Sequence, residues 1–147
     1  MKPRFRPFAL FFTIFSFLPC YAHHLAVVVD KGNNTGEITA ANLSKIFKSE
    51  TRKWTDGKNI VLILHKDSAA ERLTLQRLNR MSAADFQAFV TAHKEAILLV
   101  DSDDAMLKLV KSTPGAIGLV DVRSVDATVN VLKVDGKLPL EQGYLPH

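Results

Sequence analysis

Short apolar runs rich in β-branched residues alternate along most of this chain with segments that carry helix signals. The runs occupy residues 25–29, 60–64, 97–100, 116–120 and 129–134. Continuous apolar runs of this length are typical of strands buried on both faces, and strands joined through helices form βαβ units. The sequence therefore predicts one α/β domain with about five mostly parallel strands and helices on both faces.

Helix starts are marked by residues that can cap the free N–H groups of a first turn. Thr39, Ser68 and Ser82 each precede a helical pattern, and Glu71 follows Ser68 at the spacing of a capping box. The acidic residues at 101–104 place negative charge at the start of the last helix. We interpret them as helix-capping residues and not as a calcium loop, which would need a central Gly and a terminal Glu. The residues predicted to face inward are Leu43, Ile46, Phe47, Leu73, Leu75, Leu78, Phe86, Phe89, Val90, Met106, Leu109 and Val110.

The first 22 residues differ in kind from the rest of the chain. Three basic residues precede an apolar run over residues 8–18, which is shorter than the roughly 20 residues that a membrane-spanning helix needs. We predict a signal peptide over residues 1–22, cleaved after Ala22, and a single domain over residues 23–147. Retention as an N-terminal membrane anchor is the alternative. Residues 138–147 are predicted to be a loosely held tail.

Removing the leader lowers the net charge of the chain from +4. Three of the 19 basic residues lie in it and none of the 15 acidic ones, so the remaining chain carries +1. Nucleic-acid binding is therefore not expected, because it normally needs a clustered basic face. The single cysteine, Cys20, also leaves with the leader, so the domain has no disulfide and its stability must come from packing.

Four segments, taken in order, carry a family resemblance. They are Ile46-Phe47-Lys48 running into Trp54-Thr55-Asp56-Gly57, the predicted strand at 60–64, the turn Asp67-Ser68, and Pro114-Gly115-Ala116-Ile117-Gly118. Together they resemble the second lobe of the phosphate-binding component of bacterial ABC importers, over about residues 26–133. The resemblance implies a short, single-lobe member of that family with the fold of one lobe of a type II periplasmic binding protein.

The resemblance also implies an oxyanion site at the first turn of a helix, where free N–H groups and the helix dipole favour negative charge. The family turn reads Ser-Gly-Thr. Ser68 keeps the hydroxyl here, whereas Ala69 and Ala70 stand at the Gly and Thr positions. Arg72 matches an arginine of the short, single-lobe members. The implied ligand-binding residues are thus Ser68, Ala69, Ala70 and Arg72, with no cofactor and no metal.

The sequence gives little support for catalysis. His65, Asp67 and Ser68 are the ingredients of a triad, but they lie within four residues and cannot hydrogen-bond in series. We therefore expect no enzyme. Ser68 can act as a helix cap as well as a ligand donor, and Trp54 is interpreted as a packing anchor of its loop more than as a ligand platform.

Two functions remain open from the sequence. The first is a periplasmic phosphate- or oxyanion-binding protein of the importer type, with an ABC importer permease, another periplasmic protein or a second copy of the chain as partner. The second is a secreted, non-transport scaffold or interaction domain that has lost the ligand site, as Ala69 and Ala70 would permit.

The leader gives the first testable prediction. If residues 1–22 are a signal peptide, mass spectrometry of the periplasmic fraction should find a chain that begins at His23, or within a residue or two of it. Recovery of the full-length chain only in the membrane fraction would instead support the anchor.

Overall fold

The computed structural model describes residues 23–146, so the predicted signal peptide lies outside the described residues. The strands are β1 (Leu25–Val29), β2 (Glu37–Ile38), β3 (Val61–His65), β4 (Ile97–Val100), β5 (Ala116–Asp121), β6 (Asn130–Val131) and β7 (Lys133–Val134). The helices are α1 (Ala40–Phe47), α2 (Ala69–Asn79), α3 (Ala83–Ala92) and α4 (Asp103–Ser112), with a 3-10 turn at Val122–Ser124. Within this part of the chain, no helix is long and apolar enough to cross a membrane.

A five-stranded sheet lies at the centre of residues 23–146, in the order β4-β3-β5-β1-β6. β3 pairs in parallel with β4 and β5, whereas β1 pairs antiparallel with β5 and β6. Four of the five strands therefore run in one direction, which confirms the predicted mostly parallel sheet. β1 is the exception, and it lies inside the sheet with all of its residues buried.

Helices cover both faces of this sheet, as predicted. α1, α2 and α3 pack Leu43, Leu75 and Phe86 into the core on one face. α4 packs Met106 into the core on the other face. A Cβ at Gly118 of β5 would lie 2.3 Å from the Sδ of Met106, so this glycine allows α4 to approach the sheet closely.

The predicted caps begin their helices. The side-chain oxygens of Thr39, Ser68 and Ser82 each accept a hydrogen bond from the N–H three residues later, at 3.0 to 3.2 Å. The prediction for Leu73 is wrong, because this residue is 48% exposed. It lies two positions before the buried Leu75, about 200° around the helix, so the two side chains cannot share a face.

The predicted strand over residues 129–134 divides at Leu132. β6 pairs with β1 in the main sheet, whereas β7 pairs in parallel with β2 in a separate two-stranded sheet. The N–H of Leu132 donates to the carbonyl oxygen of Val27 at 2.9 Å between these two pairings. The residues of the 129–134 segment give no sign of where a strand passes from one sheet to the next.

The prediction of a loosely held tail over residues 138–147 is wrong at Tyr144 and Leu145, which are buried. The Tyr144 hydroxyl accepts from the N–H of Val27 at 3.1 Å and donates to the carbonyl oxygen of Leu132 at 2.6 Å. Burial raises the pKa of Tyr144 to about 12, so the hydroxyl keeps its proton. The hydroxyl therefore links Val27 of β1 to Leu132, which lies between β6 and β7.

The peptide of Gly115 joins three segments at the start of β5. Its N–H donates to the buried carboxylate of Asp30 at 3.0 Å. Its carbonyl oxygen accepts from the Trp54 indole at 2.9 Å and from the Val61 N–H at 3.0 Å. Gly115 has a φ of +82°, and a Cβ there would lie 2.1 Å from the carbonyl oxygen of Asn59. Trp54 therefore acts as an anchor with a satisfied indole, and only glycine fits at position 115.

Gly115→Ala should lower the free energy of unfolding by at least about 2 kcal/mol, because it combines a strained backbone with a steric clash. Gly36→Ala is the matched control, since a Cβ at Gly36 meets nothing within 4 Å. Urea unfolding of both variants tests this expectation. Equal stability of the two variants would show that the Gly115 peptide is not a structural constraint.

Candidate functional site

Two helix N-termini meet at the carboxyl ends of β3 and β4. α2 begins after β3 and α4 begins after β4, and these helices pack on opposite faces of the sheet. Connections that leave neighbouring parallel strands toward opposite faces open a crevice at the carboxyl edge of a sheet, where ligands of α/β proteins commonly bind. The fold therefore directs attention to the first turns of α2 and α4.

The first turn of α2 carries three of the predicted site residues. The Oγ of Ser68 accepts from the N–H of Glu71 at 3.1 Å, which leaves the hydroxyl proton of Ser68 available for a ligand. Among the hydrogen bonds of residues 23–146, none uses the N–H of Ala69 or Ala70. The turn thus offers one hydroxyl and two amide donors at the positive end of a helix dipole.

The predicted capping box forms only in part. Its second half would need the Glu71 carboxylate to accept from the N–H of Ser68. Glu71 Oε1 accepts from the N–H of His65 instead, at 2.8 Å. The Glu71 side chain therefore turns back toward the end of β3 and not toward the N–H of Ser68.

The first turn of α4 has the same serine cap as the first turn of α2. The Oγ of Ser102 accepts from the N–H of Ala105 at 3.1 Å, so its hydroxyl can also donate outward. Sequence reasoning missed Ser102 as a site residue. The signal was present, because an Asp-Ser pair follows each of the two strands, at Asp67-Ser68 and at Asp101-Ser102.

Both turns line one open cleft of about 610 Å³. The residues that line it are His23, Leu25, His65, Ser68, Ala69, Ala70, Ser102, Asp103, Asp104 and Asp121. Three of the four predicted ligand-binding residues are thus brought together. Arg72 is not among the lining residues, and it borders a separate, smaller cavity.

Carboxylates dominate the charge of this cleft. Asp103 Oδ2 accepts from the N–H of Asp121 at 3.1 Å and from the Ser124 hydroxyl at 2.8 Å. Side-chain hydrogen bonds from Arg123, at 2.8 and 2.9 Å, hold the pKa of Asp121 well below its usual range. Asp104 has no comparable partner within the described residues. The cleft therefore combines helix-end donors with acidic acceptors.

These contacts do not form a catalytic relay. His65 Nδ1 accepts from the N–H of Asp67 at 3.3 Å, and among the described residues no hydrogen bond joins His65 to the Ser68 hydroxyl. Nucleophilic catalysis needs the imidazole to bond the hydroxyl directly. In residues 23–146, no three His, Cys, Asp or Glu side chains are grouped so that they could hold a metal ion.

Solved structures share this fold. An ABC-type phosphate transport receptor from Vibrio cholerae matches with a TM-score of 0.63 at 21% identity, covering 79% of this chain and 48% of that chain. A substrate-binding protein from Clostridium perfringens with bound phosphate matches with a TM-score of 0.66 at 22% identity, covering 79% and 46%. PstS from Borrelia burgdorferi matches with a TM-score of 0.60 at 21% identity, covering 79% and 49%. This chain thus spans about half the length of each.

A protein-family model agrees with these structures. The model, described as a PBP superfamily domain, matches residues 14–142, which is most of the chain.

Proposed function

This chain belongs to the PBP superfamily and has the fold of one lobe of a type II periplasmic binding protein, and we propose that it binds phosphate or a similar oxyanion without catalysing a reaction. We further propose that it is exported to the periplasm through the signal peptide at residues 1–22. Its proposed partner is the permease of an ABC importer or another periplasmic protein.

The convergence of two helix N-termini in one cleft is the observation that carries this proposal. Ser68, Ala69 and Ala70 from α2 and Ser102 from α4 offer donors to the same space. Backbone N–H groups and hydroxyls at helix N-termini stabilise an anion without a dedicated cation. Because Arg72 does not line this cleft, we leave it out of the proposed phosphate site, in contrast to the role that the family resemblance implies.

The acidic side chains favour phosphate over sulfate. An ionised carboxylate can only accept hydrogen bonds, and Asp104, unlike Asp103, has no partner within the described residues, so it favours a ligand that carries a donor. Phosphate near neutral pH retains an O–H that can donate to a carboxylate, whereas sulfate has none. A sulfate in the cleft would face unpaired like charge, which disfavours binding.

An open cleft predicts weak binding. The matched chains are about twice as long as this one, and a ligand held by one lobe stays in contact with water. Water screens the charge interactions that would otherwise hold the anion. We propose that a second copy of the chain or another protein covers the cleft when binding is tight.

The alternative function is a secreted scaffold or interaction domain without a ligand. The specific observation in its favour is the negative charge of Asp103, Asp104 and Asp121 in the cleft, together with Ala69 and Ala70 at the family's Gly and Thr positions. The two functions differ in one measurable property, which is whether inorganic phosphate binds at this cleft.

Calorimetry with phosphate and sulfate tests the site directly. Ser68→Ala removes one charge-assisted donor and should weaken phosphate binding by about 10- to 150-fold, corresponding to about 1.5–3 kcal/mol. Ser102→Ala should weaken binding in the same direction. Ser82→Ala is the matched control, because Ser82 caps α3 through the same bond but does not line the cleft.

The control variant should lose about 1 kcal/mol of stability and no affinity. Absence of phosphate binding by the wild-type protein at millimolar concentrations would favour the scaffold. Equal effects of the Ser68 and Ser82 substitutions on affinity would show that the loss came from helix capping and not from a ligand contact.

A gain-of-function experiment tests the first turn of α2 by adding a hydrogen-bond donor instead of removing one. Ala70→Thr adds a hydroxyl in the first turn of α2, and Ala69→Gly lets the backbone approach the anion at a helix cost of up to about 1 kcal/mol. The double variant should bind phosphate more tightly than the wild type and melt slightly earlier without ligand. Unchanged affinity in a folded double variant would exclude this turn as the phosphate site.

A further inference from the structure

Four basic residues lie where the C-terminal ends of α1 and α2 meet, at the opposite end of α2 from the cleft. Lys45 and Lys48 belong to the end of α1, and Arg77 and Arg80 belong to the end of α2. Lys45, Lys48 and Arg80 line one open depression of about 450 Å³. Arg77 lies in the last turn of α2, three residues before Arg80. We call these four residues the basic face.

Most of the basic face has no acidic partner. Lys45, Arg77 and Arg80 are exposed, and none of them forms an ion pair or a side-chain hydrogen bond with residues 23–146. Lys48 pairs with Glu50 at 3.2 Å, and Glu50 is the carboxylate in the lining of the depression. Four cations and one carboxylate leave a charge of +3. The two helix C-termini contribute only about −0.5 each, so they do not neutralise it.

The end of α2 does not itself require an arginine at position 80. Arg80 has a φ of +53° and a ψ of +44°, the left-handed conformation that commonly ends a helix and that favours glycine. Its N–H donates to the carbonyl oxygens of Gln76 and Arg77, which the backbone of a glycine would do with less strain. The guanidinium is therefore retained at a strained position without a partner among the described residues.

The cleft at the other end of α2 has the opposite charge. Asp103, Asp104 and Asp121 line it, and its lining includes no lysine or arginine. Arg123 compensates Asp121, so two carboxylates of the lining have no cation among the described residues. Because α2 has 11 residues, the two charged regions lie about 16 Å apart along it at 1.5 Å per residue. One molecule thus carries two complementary surfaces that cannot reach each other.

We propose that the basic face of one copy of this chain covers the acidic cleft of a second copy. Because the two surfaces differ, the contact is head-to-tail and not two-fold symmetric. The covering copy supplies the cations that the cleft lacks, and it separates a bound anion from water. This role of the contact rests on the proposed phosphate site. The contact itself rests on the protein's own charges and forms without phosphate.

Analytical ultracentrifugation of the purified protein in phosphate-free buffer tests the contact. Association through exposed charges should be weak, with a dissociation constant on the order of 0.1 mM. It should weaken roughly tenfold or more when NaCl is raised from about 50 mM to about 500 mM, because salt screens exposed charges. A wild-type protein that stays monomeric at about 1 mM in low salt would overturn the proposal.

Arg80→Glu should weaken association by at least about tenfold, because it turns an attraction to the cleft into a repulsion. Lys94→Glu is the matched control, since Lys94 is an exposed lysine that lines neither the cleft nor the depression. The control should associate like the wild type. Equal losses in the two variants would show that net charge alone matters, and the proposal would be wrong.

A mixture of two charge variants tests which surfaces meet. Asp104→Arg reverses a charge in the cleft and should weaken association as Arg80→Glu does. In the mixture, the intact basic face of the Asp104→Arg chain can cover the intact cleft of the Arg80→Glu chain, so a complex of one chain of each should form. A mixture that associates no better than either variant alone would overturn the head-to-tail contact.

Calorimetry of Arg80→Glu with inorganic phosphate separates this proposal from the phosphate site. Arg80 does not line the cleft of its own chain, so the variant should keep the weak phosphate binding of an open cleft while it fails to associate. If the mixture forms its complex but neither the variant nor the wild type binds phosphate, the contact is confirmed and the phosphate site is wrong. Phosphate binding without any association of the wild type would overturn the contact alone.

Discussion

The hydrogen bonds of the Gly115 peptide hold together the parts of the chain on which the rest of the structure depends. β5 lies between β3 and β1 in the sheet, and this peptide fixes where β5 begins. It ties the turn after β1 through Asp30, the loop before β3 through Trp54, and β3 itself through Val61. Segments next to all three central strands therefore meet at one backbone position that accepts no side chain.

Much of this fold is predictable from the sequence because the signals are local. Apolar runs and capping residues lie within a few positions of the elements they define, so β3, β4 and the helix starts are clear from the order of residues alone. The antiparallel direction of β1 cannot be predicted from the sequence, since a buried strand has the same apolar pattern whichever way it runs. The burial of Tyr144 is equally hidden, because one aromatic residue in a polar segment has no periodicity.

The same difference between local signals and contacts of distant segments applies to the candidate site. Ser68, Ala69 and Ala70 could be singled out through the family resemblance, because the motif that implies them lies within one turn of one helix. Ser102 and Asp121 reach the same cleft only because β4 and β5 lie beside β3 in space, and sequence spacing does not encode that neighbourhood. Arg72 lies four residues from Ser68 in the sequence, yet it borders a different cavity.

The Tyr144 hydroxyl has a consequence for how the protein is made. Val27, the residue whose N–H donates to this hydroxyl, lies 117 positions earlier in the chain, and the sheet partners of β1 also come from the second half. Contacts between such distant segments slow folding, because a long loop must close, at a cost in entropy, before the contacts can form. β1, which is buried along its whole length, therefore gains its sheet neighbours only after residues 116–131 have been made. Completion of this core is a late event in folding.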